Sequence, residues 1–168
     1  SEINTITAKI QFYENIIPTH EGRTEGVEQI LQDQKKYPYV LGVLSDLIQV
    51  DDPYKTAVES VLDEFRYYIL VDTRGNAQKI MKSTDQHISM IALDCVSTIT
   101  TTNNRKYPAK TLLSTIKYNK SLDPILNILI GDVCILPNDQ NFPPSDKFDW
   151  ISKKGRYFKR GYIFKSYG

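Results

Sequence analysis

Residues 53–93 contain two amphipathic helical patterns, each followed by a short apolar run. In the first pattern, apolar side chains recur at helical spacing from Tyr54 to Phe65, which predicts one buried face over three turns. Asp51-Asp52-Pro53 precedes it and predicts a helix start, because an acidic side chain can cap free N–H groups and proline needs no donor there. The runs 67–71 and 88–93 have strand length. This order of helix, strand, helix and strand predicts a mixed α/β layer.

The rest of the chain adds further elements. Asp72 or Thr73 is expected to cap the second of these helices. Asp123-Pro124 begins a nearly all-apolar helix that Gly131 is expected to end. Residues 133–136 then read as a strand. The runs 148–151, 156–158 and 162–164 alternate with Gly155 and Gly161, which predicts a small β-meander at the end of the chain.

The first residues show a different period. Apolar positions step by three and four along the chain, as in the seam of a coiled coil. These positions are Ile3, Ile6, Ile10, Tyr13 and Ile17. We interpret residues 1–17 as a coiled-coil stub, although a short amphipathic helix packed on the domain would show the same pattern.

A length of 168 residues suits one compact domain, or two small lobes that share a core. Residues 1–94 carry nine Lys/Arg and fifteen Asp/Glu, a net charge of −6, whereas residues 95–168 carry twelve and five, a net charge of +7. With the boundary in the Thr/Asn-rich segment 95–108, we predict an acidic lobe I at 18–100 and a basic lobe II at 101–168. This polarity favours head-to-tail contact between chains or contact with a polyanion, unless it is chance scatter on two solvated faces.

Several classes of protein do not fit. No apolar run approaches the roughly 18 to 20 residues of a membrane span, and the N-terminus lacks the regions of a signal peptide. The two cysteines, Cys95 and Cys134, are too few for a disulfide scaffold. We therefore expect a cytoplasmic protein without membrane contact.

No catalytic motif emerges either. The chain has no glycine-rich phosphate loop, no G-x-G-x-x-G and no G-x-S-x-G. Cys95 and His87 could meet in space, but a buried structural cysteine beside an exposed histidine is the expected arrangement. Asp51 and Asp52 are accounted for as helix caps rather than as metal ligands. We predict no enzyme activity, no cofactor, no metal and no small-molecule substrate.

Basic residues concentrate near the end of the chain. Residues 147–168 carry seven Lys/Arg, one acid and seven aromatic residues, a mixture typical of single-strand nucleic-acid binding. Exposed strands with aromatic residues inside and lysines outside would give the same composition. The residues that we predict to contact DNA are Arg105, Lys106, Lys110, Lys153, Lys154, Arg156, Lys159, Arg160 and Lys165.

An ordered series of motifs runs through most of the chain. The segment that follows the stub contains Glu21-Gly22, Gly26-Val27 and Ile30-Leu31, which fit the pattern E-G-x-x-x-G-V-x-x-[VI]-L. The nine residues GVLSDLIQV follow at 42–50. Further positions of the series are Tyr54, Ala57, Glu59, Leu62, residues 68–71, Ala77, Ile80, residues 113–118 and residues 124–133. In this order the motifs resemble the hinge domain of SMC (structural maintenance of chromosomes) proteins of the bacterial type, over roughly residues 14 to 163.

The chain departs from the family in two places. The family's T-F-[LI]-P-L is here the proline-free sequence at residues 89–93. Its terminal G-[IV]-x-x-G-G is here the sequence from Gly161 to Lys165, without the paired glycines. In hinges of this family those glycines lie close to the dimer contact.

The resemblance implies a two-lobed mixed α/β domain that dimerises, lobe I of each chain meeting lobe II of the other. Such a homodimer joins two coiled-coil arms, closes the chromosome-organising ring, and binds DNA weakly. It also implies a chromosome-associated location, with ATPase heads outside this chain, which we take to be an excised domain. The expected dimer contacts are Gly155, Tyr157, Phe158, Gly161, Tyr162, Ile163 and Phe164. The alternative is a monomeric module that binds single-stranded nucleic acid through its basic, aromatic end.

Overall fold

The computed structural model describes residues 24–96, 105–139, 141–144 and 147–166. The predicted coiled-coil stub and Glu21-Gly22 lie outside these residues. The helices are α1 (Glu25–Gln32), α2 (Lys55–Leu62), α3 (Arg74–Ser83), α4 (Leu93–Val96) and α5 (Asp123–Ile130). The strands are β1 (Val40–Val43), β2 (Ile48–Val50), β3 (Ile69–Val71), β4 (Met90–Ala92), β5 (Ile116–Tyr118), β6 (Val133–Ile135), β7 (Asp149–Ile151), β8 (Tyr157–Lys159) and β9 (Ile163–Lys165). The predicted mixed α/β fold is confirmed.

The helices begin close to the predicted positions, but the acidic side chains before α2 and at the start of α5 form no capping hydrogen bonds. Thr73 caps α3, where its hydroxyl accepts a hydrogen bond from the Asn76 N–H at 3.1 Å. Asp51 stands at the predicted cap position before the 3₁₀ turn Asp52–Tyr54, but its side chain makes no capping hydrogen bond. The capping role predicted for Asp51 is therefore wrong, and so is the one predicted for Asp52, because α2 has no side-chain cap. The following Pro53 and the apolar face of α2 are sufficient to begin the helix there.

Gly131 follows α5 directly, as predicted, but for a different reason. Its φ of −61° is right-handed, so it is not the left-handed residue that commonly ends a helix. A Cβ at this position would instead lie too close to the carbonyl oxygen of Asn127. Close approach to the preceding turn, and not a positive φ, is what requires glycine here.

The strands form three sheets. The first has the order β1-β3-β4, with β1 antiparallel and β4 parallel to β3. The second pairs β2 with β5 antiparallel, so that it joins the two halves of the sequence. The third has the order β6-β7-β8-β9, in which β6 and β7 are parallel and the last three strands form the predicted meander.

The largest apolar cluster contains residues from both predicted lobes. Leu44, Val58 and Leu62 of the first half pack with Leu126 and Tyr157 of the second half. A smaller cluster around Val27 and Ile80 lies in the first half alone. The lobe boundary at 100/101 falls within residues 97–104, outside the described residues, and stays a prediction. The shared core means that the two halves support each other's packing.

None of the helices in the described part of the chain is long and apolar enough to cross a membrane.

Candidate dimer and nucleic-acid interface

Strand β9 forms one edge of the four-stranded sheet. It pairs with β8, and no other described strand pairs with its second edge. Tyr162, Ile163 and Phe164 at this edge are 72%, 41% and 66% exposed. An unpaired edge with exposed apolar side chains is a template for pairing with another strand.

A row of apolar side chains crosses one face of the same sheet. The strand registers place Cys134, Trp150, Phe158 and Phe164 side by side. The rings of Phe158 and Phe164 meet edge to face with centroids 5.8 Å apart, and Phe142 packs on Phe158 at 5.9 Å. The row is buried at Cys134, whereas Phe164 and the 81% exposed Phe142 leave its other end open.

The β8–β9 turn rests on a buried carboxylate. Arg160 adopts a φ of +55°, and its backbone N–H donates to Oδ1 of Asp149 at 2.9 Å. Oδ2 of Asp149, which is only 6% exposed as a residue, accepts a hydrogen bond from the Tyr157 hydroxyl at 3.1 Å. Burial, followed by the charge of Asp149, raises the pKa of Tyr157 far above its usual value.

Two arginines neutralise the carboxylates around this turn. The Arg160 guanidinium donates to the Lys147 carbonyl at 2.7 Å and lies 3.5 Å from Oδ2 of Asp132. Arg105 donates to Oδ1 of the same Asp132. That hydrogen bond, together with the carboxylate's charge, raises the pKa of Arg105. These arginines therefore have structural partners within the monomer.

The meander is also fixed to α2 in the other half of the chain. The Ser60 hydroxyl donates to the Gly155 carbonyl at 2.7 Å in a buried position. Lys165 Nζ lies 3.0 Å from Oδ2 of Asp63, and 5.7 Å from the centroid of the Tyr157 ring. These contacts orient β9 with respect to the main core.

Comparison with known proteins decides the family. The family model described as "SMC proteins Flexible Hinge Domain" matches residues 37–140, more than half of the chain. The chain belongs to the SMC hinge family.

Solved structures agree with this fold. The hinge domain of the Pyrococcus furiosus SMC protein matches with a TM-score of 0.73 and 16% identity, over 86% of this chain and 80% of that one. An asymmetric dimer of the Geobacillus stearothermophilus SMC hinge domain matches at 0.69 and 18%, over 98% and 74%. A P. furiosus hinge with an extended coiled coil matches at 0.72 and 17%, over 99% and 60%. No curated protein sequence matches the chain.

Within this hinge, the seven residues predicted at the dimer contact occupy different environments. Gly155, Tyr157 and Phe158 are buried inside the monomer, whereas Tyr162, Ile163 and Phe164 are exposed and Gly161 is half-buried. Strand β8 has no free edge for a partner strand, because it pairs with β7 on one side and β9 on the other. Among the meander strands, the edge available to a partner is that of β9.

The nine cations predicted to contact DNA fall into three groups. Arg105, Arg160 and Lys165 form the ion pairs described above. Lys110 and Lys153 lie against the ring of Tyr54. The remaining four are exposed, without an ion pair among the described residues: Lys106, Lys154, Arg156 and Lys159. The first group is therefore engaged in holding the fold.

The environment of the cysteines differs from the one expected. Cys95 is exposed and Cys134 is buried, so the expectation that Cys95 is a buried structural cysteine is wrong. Local desolvation, followed by the hydrogen bond with Asp94, raises the pKa of Cys95 and disfavours the thiolate. Within the described residues, no three His, Cys, Asp or Glu side chains are grouped as metal ligands.

Sequence reasoning missed two exposed or half-buried aromatic residues that shape the surface. Phe142 lies in the loop between β6 and β7, where no periodicity marks it. Tyr54 was assigned to the inner face of α2, yet its ring also supports Lys110 and Lys153 from the other half. Only the tertiary fold brings these segments together.

Proposed function

We propose that this hinge domain dimerises, and thereby joins the coiled-coil arms of two parent chains to close a chromosome-organising ring. The observation that carries the proposal is the outer edge of β9, with which no other described strand pairs and where the Tyr162, Ile163 and Phe164 side chains are exposed. A second strand placed there would cover this apolar surface and extend the sheet. The Geobacillus hinge, which shares the fold, is a dimer.

Charge supports a head-to-tail arrangement of two copies. The net charges of −6 over residues 1–94 and +7 over residues 95–168 give opposite signs to lobe I (18–100) and lobe II (101–168). Contact between lobe I of one chain and lobe II of its partner is then attractive in both halves of a closed two-fold dimer.

The proposed role is non-catalytic and chromosome-associated, with weak DNA contact as an auxiliary activity. The exposed cations Lys106, Lys154, Arg156 and Lys159 are available to phosphates. Binding through phosphate contacts depends on salt and carries little sequence information.

A second candidate is a monomeric module for single-stranded nucleic acid. The exposed rings of Tyr162, Phe164 and Phe142 favour it, because bases stack on such rings. The two proposals assign different contacts to the same edge. In the dimer a partner strand would cover β9, whereas in the monomeric module bases would stack on its aromatic side chains.

The deciding experiment is the molar mass by light scattering on a sizing column at low and high salt. We expect a species of about twice 19.3 kDa at both salt concentrations, because apolar burial and strand pairing are less sensitive to salt than attraction between charged groups. A monomer throughout that binds labelled single-stranded DNA would replace the hinge dimer by the second candidate.

A further inference from the structure

We infer that Tyr54, Lys110 and Lys153 form a binding site for one backbone phosphate of a nucleic acid, built across the two halves of the chain; this inference rests on the proposed DNA contact. Tyr54 ends the 3₁₀ turn before α2. Lys110 precedes β5, and Lys153 lies in the turn between β7 and β8. Nothing in the sequence pattern links these three positions.

The two ammonium groups converge on one ring. Nζ of Lys110 lies 5.0 Å from the centroid of the Tyr54 ring and 3.4 Å from its hydroxyl oxygen, to which it donates. Nζ of Lys153 lies 5.6 Å from the same centroid. The two nitrogens are thus at most about 11 Å apart. With a screening length of about 8 Å at physiological salt, part of their mutual repulsion remains.

This pair of charges has no carboxylate partner among the described residues. Two acids near these residues have other contacts: Asp139 accepts the backbone N–H of Lys153 at 2.9 Å, and Asp52 lies 3.7 Å from Lys55 Nζ. Both lysine side chains are exposed to solvent. An anion between them would relieve the repulsion that remains in the unliganded protein.

Backbone hydrogen bonds fix the main-chain positions of both lysines. The Lys110 carbonyl accepts the Ile135 N–H at 2.8 Å beside β6, and Asp139 holds the Lys153 amide. Tyr54 packs against the main core, which also fixes the position of its hydroxyl group. The two ammonium groups and the hydroxyl can each donate a hydrogen bond to a phosphate oxygen. Because the lysines lie against the ring, the site suits a phosphate rather than a stacked base.

The test measures the affinity of fluorescein-labelled oligothymidine by anisotropy between about 50 and about 200 mM salt. We expect the double variant Lys110→Gln/Lys153→Gln to bind about tenfold more weakly at the low-salt end. Its slope of log affinity against log salt should be smaller by about 0.7, the value for one phosphate contact on a single strand. Tyr54→Phe keeps the ring and should weaken binding severalfold without changing the slope.

The matched control is Lys79→Gln/Lys82→Gln, which removes two exposed charges from α3. An equal loss in the control would overturn the site, because net charge alone would explain it. An unchanged slope in the Lys110/Lys153 variant would overturn the site while leaving the DNA contact intact. If the wild-type chain does not bind the oligonucleotide, the proposed DNA contact itself is overturned. If inorganic phosphate alone then shifts the Tyr54 ring resonances, the site takes free phosphate, which overturns the nucleic-acid assignment.

Discussion

At the scale of single residues, Asp149 has the most consequential environment in the meander. It is a buried carboxylate, and its oxygens hold both the Tyr157 hydroxyl and the amide of Arg160. In the sequence, Asp149 stands out only as the lone acid of a basic segment. Its burial is not predictable from that pattern, because its hydrogen-bond partners lie eight and eleven residues away, in β8 and in the turn after it.

Because of Tyr157, we expect the stability of the fold to depend on pH in the alkaline range. Its pKa is raised in the folded chain, so the folded chain keeps a proton that the unfolded chain loses above about pH 10. The contribution of this residue is therefore complete below pH 10 and declines as the pH rises further. We expect the free energy of unfolding, measured with urea, to fall above pH 10 and to fall less steeply in Tyr157→Phe. Equal slopes for the two chains would contradict this account.

At the scale of elements, the exposed β9 edge leads to a direct test of the proposed dimer. Ile163→Asp places a charge on the strand edge, and burying it against a partner without a counter-charge would cost several kcal/mol. We expect this variant to be monomeric in sedimentation equilibrium at concentrations where the wild-type chain is dimeric. Met81→Asp, which alters an exposed apolar residue on α3, should leave the dimer unchanged. Equal dissociation in both variants, or in neither, would remove β9 from the interface.

The sequence predicted individual helices and strands better than it predicted the contacts between them. The periodicity of α2, the cap at Thr73 and the glycine-separated runs of the meander predicted local structure, because helix faces and strand lengths depend on neighbouring residues. Pairings between distant elements were not predictable in this way. One example is the contact of Arg105 and Arg160 with Asp132, which gives two of the residues predicted to contact DNA a structural partner. The Tyr54 cluster likewise needed the fold to bring both halves together.

At the scale of the whole molecule, the shared core predicts cooperative unfolding. Leu62 and Tyr157, from opposite halves, belong to the same apolar cluster. We expect the fluorescence of Trp150, in the second half, to change with the same urea midpoint as the far-ultraviolet circular dichroism of the entire chain. Two separate midpoints would show that lobe I and lobe II unfold independently.

The bond between Ser60 and the Gly155 carbonyl joins residues 95 positions apart in sequence. During synthesis at about 5 to 20 residues per second, α2 emerges roughly 5 to 20 s before the turn that it must hold. Throughout that interval the inner face of α2 lacks Tyr157 and Ile151, which complete its packing. The nascent chain therefore carries an uncovered apolar surface until its final hairpin is made.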